Sequence, residues 1–488
     1  MINNKINSNW IKEGAEAHGQ FTALSTKAKT YSYSALHQRI IQTAAYFEIA
    51  GIEQNKNTAI LLESSIEFII SLFAIWNCGS TVVPLNPHSS ADELMENLKF
   101  TNCERIITNR RLSDKFEGID RQNLFFIDEI KGDVNCEPKD IPIYQHDSPA
   151  IIMFTSGSSG VKKAAVLTFS NLYASSKNID GVFNFAPGEK WLASLPFYHI
   201  GGMQVIIRSV LSGGELIVLD EINTQNILDC ISQTNMQYIS VVNSILQQMI
   251  ERKIIPADNT KAVFAGGGPI NNELLSKAND LSLPVYKVYG STETASMVTL
   301  LSPKDIDKKI DSAGKPIGDV EIKILDDERN EATQNVTGEI AVKGRSVILS
   351  YYNNAVLSEE KFYNGYFLTG DNGYIDEDGY LFVLGRKDNF IITGGEKVNP
   401  DEVKQALMEL NCFADVHVLG VDDKKWGQKV CAVYILKNDV KITGTEIKDK
   451  LTSKLASYKI PKEMIQLKEF PKTGLGKIDT LKLKALLS

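Results

Sequence analysis

An α/β protein of more than one domain is the fold class this sequence predicts, and three observations carry that prediction. Strand and helix patterns alternate from the first capped helix near Ser32 to the strand before Tyr289. Short strands and hairpin turns follow residue 310. After residue 388 the chain closes with an α+β pattern about as long as one small domain. The first two imply a large N-terminal α/β domain of several subdomains, with mostly parallel sheets and a β-barrel-like portion. The third implies a small α+β C-terminal domain. At 488 residues the chain is too long for one simple core.

The elements follow in order. Ser32 or Ser34 can cap a helix that carries Leu36, Ile40, Ala44 and Phe47 on one face and stops at Gly51. Thr58–Leu62 reads as a strand, Ser65–Trp76 as an apolar-faced helix and Thr81–Leu85 as the next strand. Arg105–Thr108, Leu124–Asp128 and Ala150–Phe154 continue the alternation, as do Ala262–Ala265 and Pro284–Val288. Glu321–Leu325, Glu339–Lys343 and Tyr380–Leu384 are shorter strands, the last preceded by the turn pair Asp378-Gly379. In the last segment Asp401–Leu410 and Glu446–Leu455 read as helices, and Val416–Val421 and Lys429–Leu436 as strands.

Composition removes several function classes. A net charge of −8 and the lack of a basic stripe argue against broad nucleic-acid binding. The six cysteines are scattered, with no Cys-x-x-Cys pair, so neither a zinc site nor a disulfide framework is indicated. A reduced cytoplasm fits that usage. Met1–Trp10 is polar and lacks a signal-peptide core. The longest strongly apolar run, Phe68–Trp76, is too short to span a bilayer, so no membrane span is expected. Oligomeric state stays open, a homo-oligomer included.

Sheets of this kind bind ligands in loops at the carboxyl ends of their strands. The loop Thr155-Ser156-Gly157-Ser158-Ser159-Gly160, with Lys162 and Lys163 after it, follows the strand Ala150–Phe154. Glycines let backbone N–H groups converge, hydroxyls add donors and lysines add charge, which is the chemistry of a phosphate-holding loop. No Walker A spacing occurs. A flexible Gly/Ser turn would carry the same residues. His199, in Leu195-Pro196-Phe197-Tyr198-His199-Ile200-Gly201-Gly202, could line or gate a substrate channel, or pack at a helix start. Arg208 sits in an apolar helical run and needs an anionic partner or a route to solvent. Gly266, Gly267 and Gly268 end a strand and offer a wall against which a flat ligand can lie.

In Tyr289-Gly290-Ser291-Thr292-Glu293-Thr294, Tyr289 could stack on a base, Thr292 could donate to a phosphate and Glu293 could hold Mg²⁺. A helix cap would account for Ser291–Glu293 equally well. Asp371, after Thr369-Gly370, could accept both hydroxyls of a ribose or be a turn aspartate. Gly385-Arg386-Lys387-Asp388 marks a boundary, and Thr393-Gly394-Gly395-Glu396-Lys397 a turn. Lys477 follows Gly474 and Gly476 ahead of a short helix; it is either solvated or able to swing into a site as a cation.

The series Thr155–Lys163, Tyr289–Thr294, Thr369–Asp371, Gly385–Asp388 and Pro471–Lys477 resembles the adenylate-forming superfamily of acyl-CoA synthetases, nonribosomal-peptide adenylation domains and luciferases. The resemblance covers nearly the whole chain, in order and spacing. It implies an ATP- and acyl-binding domain over 1–384, a hinge at 385–388 turning on Asp388, and a small mobile α+β lid over 389–488. It implies ATP, Mg²⁺ and coenzyme A, and a small-molecule carboxylic acid as substrate. By residue, Thr155–Gly160 and Lys163 would meet the phosphates. Gly266–Pro269, with Gly266, Gly267 and Gly268, would flank adenine and the acyl group, and Tyr289 with Gly290 would lie at adenine. Thr292 would bind the α-phosphate, Glu293 would ligate Mg²⁺, and Asp371 with Arg386 would hold the ribose. Lys477 would bridge the carboxylate and the α-phosphate. Gly394, Gly395 and Lys397 would belong to the lid segment that faces coenzyme A.

The chain departs from the superfamily at one loop, carrying Lys162-Lys163-Ala164 where Pro-Lys-Gly is usual. Within the superfamily, the stretch Leu195–Gly202 followed by Arg208 resembles the o-succinylbenzoate–CoA ligases of menaquinone biosynthesis. There His199 and Arg208 would meet an aromatic dianion. No carrier-domain motif follows Lys477 in the sequence given, which points to free coenzyme A. Other acyl- or aryl-CoA ligases, a stand-alone adenylation enzyme that loads a carrier protein, and a non-catalytic nucleotide-binding module are the alternatives.

Overall fold

The structure, a computed structural model, describes residues 8–130, 144–155, 162–386, 391–393, 396–423, 426–437, 440, 442–452, 454–472 and 478–487. The chain forms two compact units. Met1–Ile322, Val342–Phe367 and Asp378–Leu381 make the first; Lys323–Ala341, Leu368–Glu377 and Phe382–Ser488 make the second.

The first unit holds two large sheets. The nine-stranded sheet has a parallel centre: Val285–Ser291, Ala262–Ala265, Tyr238–Val241, Lys190–Ala193, Glu215–Val218 and Thr22–Ser25, in that spatial order. Antiparallel strands finish both edges. Alternation sorts the side chains. Ile239, Val241, Val263, Ala265 and Val285 face Leu228, Leu246, Met249 and Leu275 of three helices. Trp191, Tyr238, Phe264 and Tyr286 form an aromatic layer with Phe183 on the other face.

The six-stranded sheet runs Leu124–Phe126, Arg105–Thr108, Asn57–Ile60, Thr81–Pro84, Pro149–Thr155, all parallel, and ends with antiparallel Lys163–Thr168. One face packs on Leu94 and Leu98 of the helix Ala91–Phe100. The helix Tyr33–Ile49 is capped by Ser32 and buries Leu36, Ile40, Ala44 and Phe47, the stripe expected from the sequence. The helix Ile66–Asn77 is capped by Ser65.

Before residue 387, a five-stranded sheet is built from Glu321–Leu325, Gly338–Lys343, Tyr366–Ile375, Phe362–Tyr363 and Leu381–Arg386. The chain then builds a separate five-stranded sheet around Phe413–Asp423 and Gly427–Leu436. Val430, Ala432 and Tyr434 pack on Val403, Leu407, Ile447 and Leu451 of two helices. The alternate residues Cys431 and Val433 pack on Leu483 and Leu487 of the last helix. The short strands Ile391–Thr393 and Glu396–Val398 pair antiparallel. Mostly parallel sheets followed by a small α+β portion are therefore the observed class, as the sequence predicts.

Candidate functional site

Three candidate segments of the first unit leave parallel strands of one sheet at their carboxyl ends. Gly266–Pro269 follows Ala262–Ala265, Tyr289 closes the parallel part of Val285–Ser291, and Ser194–His199 follows Lys190–Ala193. This is where open α/β sheets place ligands. Gly267 and Gly268 are exposed there, whereas Gly266 is buried, its N–H donating to the Val241 carbonyl at 3.1 Å.

Ser291–Glu293 does not cap a helix, in contrast to one of the two readings that the sequence allowed. Val285–Ser291 and Ser296–Leu301 form a β-hairpin, with a register shift between Tyr289 and Gly290. A Cβ at position 290 would lie 1.9 Å from the Ser296 carbonyl oxygen, so the closing strand requires glycine. Buried Thr294 pins the turn: its Oγ1 accepts from the Ser291 N–H at 2.8 Å and donates to the Ser296 carbonyl at 2.7 Å. From the helix Phe169–Phe183, Ser175 Oγ donates to the Ala295 carbonyl at 2.7 Å. Thr292 and Glu293 therefore stand on a turn held from three sides.

Glu293 is oriented by a residue that the sequence did not single out. Tyr351 OH donates to Glu293 Oε1 at 3.0 Å, across 58 positions of chain. The Ile348 N–H donates to the Glu293 carbonyl at 2.9 Å. The segment around Tyr351 also pairs with the strand Lys163–Thr168, through the bridge Ala165–Tyr351 and the bond from Tyr352 N to the Ala164 carbonyl. Glu293 is thus tied to the strand that leaves the candidate phosphate loop. Thr155 and Lys163 are directly paired at the base of that loop. Ser156, Gly157, Ser158, Ser159 and Gly160 lie outside the described residues. So do Asp388, Gly394, Gly395 and Lys477; Lys397 falls on the strand Glu396–Val398.

His199 is exposed at the N-cap of the helix Ile200–Ser212, its ring 4.6 Å from that of Tyr198. It is therefore not the packed histidine that the sequence also allowed. Gly202 is dictated by a close approach, since a Cβ there would meet the Pro196 carbonyl at 2.2 Å. Arg208, on the same helix, is 1% exposed, which leaves it without a route to solvent. Its Nε and Nη2 have no hydrogen-bond partner among the described residues. Burial pushes its pKa down to about 9, and the group stays charged at neutral pH. Unmatched buried donors cost about 1–3 kcal/mol each, so the site favours an anion.

In the second unit, Arg386 Nε lies 3.0 Å from Asp371 Oδ1, and Arg386 Nη1 donates to the Thr369 carbonyl at 2.8 Å. Thr369 Oγ1 accepts from the Asp371 N–H at 3.0 Å and donates to the Ile340 carbonyl at 2.8 Å. Asp371 and Arg386, both candidates for the ribose, form an ion pair with each other. Among the described residues no three His, Cys, Asp or Glu side chains cluster as a metal cage. Mg²⁺ needs none, since it binds through one or two carboxylates and substrate phosphates. Glu293 fits: one oxygen accepts from Tyr351, and the other has no hydrogen bond among the described residues.

Residues 11–352 match the AMP-binding enzyme family and residues 402–477 its C-terminal domain. A 2-succinylbenzoate–CoA ligase of Geobacillus sp. (strain WCH70) is 31% identical over 485 residues, covering 98% of this chain and 97% of its own. The structure of o-succinylbenzoate CoA synthetase from Bacillus subtilis with the acyl-adenylate intermediate OSB-AMP superposes with a TM-score of 0.90 at 30% identity, covering 98% of both chains. The same enzyme in complex with ATP and a magnesium ion gives 0.90 over 96% of this chain and 98% of its own. With a match across most of its length and a glycine wall, a Thr-Glu hairpin and an Asp–Arg pair all present, this chain belongs to the AMP-binding enzyme family.

Proposed function

We propose that this chain is an AMP-forming acid–CoA ligase that converts o-succinylbenzoate to its coenzyme A thioester for menaquinone biosynthesis. The observation that carries the substrate is Arg208, a buried guanidinium with two unmatched donors on the helix that starts at His199. Such a group suits the carboxylate of a dianion that is not being activated. The relatives named above act on that acid, which supports the same reading.

Two displacements make up the reaction. A carboxylate oxygen of the acid attacks the α-phosphorus of ATP, forming the acyl–phosphate bond as pyrophosphate leaves. The thiol sulfur of coenzyme A then attacks the acyl carbon, AMP leaves with the electron pair, and the thiol proton passes to solvent. ATP activates the acid, so no enzyme nucleophile is required. Thr292 donates to the α-phosphate, Tyr289 and the Gly266–Gly268 wall hold adenine, and Asp371, backed by Arg386, accepts the ribose hydroxyls. Thr155 through Gly160 and Lys163 hold the β- and γ-phosphates. His199, exposed at its helix start, borders the acyl entry. Glu293 would hold Mg²⁺, which would supply positive charge to the phosphate oxygens. Lys477, on a lid spanning 389–488 that turns at Asp388, brings a second cation to the attacking carboxylate. Gly394, Gly395 and Lys397 face coenzyme A on that lid.

No helix among the described residues is long and apolar enough to cross a membrane. The scattered cysteines fit a cytoplasmic enzyme.

The test is pyrophosphate release and thioester formation with Mg-ATP, coenzyme A and a panel of o-succinylbenzoate, benzoate, coumarate, octanoate and acetate. o-Succinylbenzoate is expected to lead the panel. Arg208→Ala should raise KM for it by about tenfold or more while sparing benzoate, the loss of one charge-assisted contact. A wild-type preference for a monocarboxylate, or equal effects of Arg208→Ala on both acids, would overturn the assignment.

A further inference from the structure

Two adjacent lysines end the candidate phosphate loop, and the structure treats them differently. Lys162 Nζ lies 2.7 Å from Glu96 Oε2 and donates to Asn97 Oδ1 at 3.0 Å. Both partners sit on the helix Ala91–Phe100, and Asn97 is buried. Ala164 packs into the apolar cluster that contains Leu94 and Leu98 of the same helix. Residues 162 and 164 therefore turn toward that helix, and strand alternation sends Lys163 to the opposite face. Lys163 pairs in register with Thr155 and forms no ion pair among the described residues. The ammonium of Lys162 also draws the Glu96 carboxyl below its ordinary range, chiefly through their hydrogen bond.

A chain segment can be held at a strand entry in two ways. Proline fixes its own φ and stiffens the backbone directly. A side chain clamped to a neighbouring helix holds the same point through an ion pair, which salt weakens. This chain has a lysine at the position and a clamp around it.

We propose that Lys162 is a positioning residue: its clamp to Glu96 and Asn97 fixes the start of the strand Lys163–Thr168 and reserves Lys163 as the lysine that meets the nucleotide phosphates. The inference rests on the reading of the chain as an ATP-dependent ligase, and it assigns separate tasks to two residues of the same type.

Equilibrium binding of Mg-ATP to the full chain, measured by calorimetry without any acid, tests it independently of substrate choice. Lys163→Met should weaken binding about tenfold or more, as expected for a lost charge-assisted contact. Lys162→Met and Glu96→Gln should each weaken it about threefold, the scale of a partly exposed ion pair. Lys162→Pro should restore wild-type affinity, and its affinity should fall less than the wild type's between about 50 mM and about 500 mM salt. In turnover, Lys162→Met should raise KM for ATP with kcat unchanged, and the melting temperature should stay at the wild-type value. A Lys162→Met loss equal to that of Lys163→Met and not restored by proline would make Lys162 itself a phosphate ligand and overturn the division. Wild-type affinity in Lys162→Met would remove the clamp from any role. A wild-type chain that binds no Mg-ATP would overturn both this proposal and the function beneath it.

Discussion

Glu293 and Asp371 are both carboxylates presented by β-structure, one in each unit, and their surroundings differ in kind. Glu293 stands on a turn fixed by backbone contacts and is oriented by a neutral tyrosine hydroxyl. Its negative charge is left uncompensated by that partner, which suits a hard cation. Asp371 is paired with the Arg386 guanidinium. Part of its charge is already answered, and it is better placed to accept from uncharged hydroxyls. On the proposed function, one functional group serves two uses through the choice of the partner that orients it. The hairpin depends on shape, the Asp371 segment on charge.

The strongest way to break the comparison is to attack the shape. Gly290→Ala puts a methyl group 1.9 Å from the Ser296 carbonyl and 2.8 Å from Met297 Cα, backbone that cannot yield without opening the hairpin. A loss of about 3 kcal/mol or more in chemical denaturation is expected, with adenylation abolished. Gly268→Ala is the control, because nothing lies within 4 Å of the added carbon. Its stability should match the wild type, so any fall in activity reports ligand contact. Native stability and activity in Gly290→Ala would show that backbone crowding does not hold the turn.

The next test exchanges charge for neutrality on each side. Glu293→Gln should lower kcat about 10²-fold or more, the scale of a lost electrostatic contact in a closed site. Tyr351→Phe keeps the charge and loses one neutral hydrogen bond, so a drop of about tenfold or less is expected. Arg386→Ala should raise KM for ATP about tenfold with little change in kcat, as for a contact made equally in ground and transition states. Initial rates across ATP and Mg²⁺ concentrations separate these outcomes. A fall in kcat with unchanged KM in Arg386→Ala would mean that Asp371 serves the chemistry rather than ribose binding.

The same contrast explains what was legible in the sequence. Alternating strand and helix patterns were readable because each records a face buried locally, as in the stripe Leu36, Ile40, Ala44 and Phe47. The cluster Tyr289–Thr294 stood out as a candidate site, but its hairpin did not. Its fold depends on Gly290 meeting Ser296 and on Thr294 bonding to both strands, which residue types alone do not announce. Tyr351 left no local signal because its partner lies 58 positions away. Arg208 did leave one, since Val205, Ile206, Ile207 and Val210 around it promised burial, yet only packing reveals that its donors go unmatched. The role of Lys162, as against Lys163, left no sequence signal, because its partners Glu96 and Asn97 lie on a helix far away in the chain.

The smallest expected effect sharpens the comparison, because the hairpin contains a partly buried charge of its own. Lys287 lies two residues before Tyr289 on the strand Val285–Ser291, and its Nζ donates to the Ile310 carbonyl at 3.1 Å. Burial pushes its pKa down to about 8, against a weaker opposing pull from Asp311. Between that value and the ordinary lysine range, the unfolded chain holds a proton that the folded chain has released. Stability contributed by this residue must therefore rise with pH across the window, by at most about 1.4 kcal/mol for each unit of pH. Below the window both states are protonated, and the fold bears the full cost of burying the ammonium. Lys287→Met removes that cost. The variant should be more stable than the wild type near neutrality, and the difference should shrink as pH rises past the folded pKa. Urea denaturation of both proteins at several pH values isolates Lys287, because every other titrating group is common to the pair. A difference that stays constant with pH would mean that the ammonium reaches solvent in the folded state, and that shape holds this hairpin without any charge penalty.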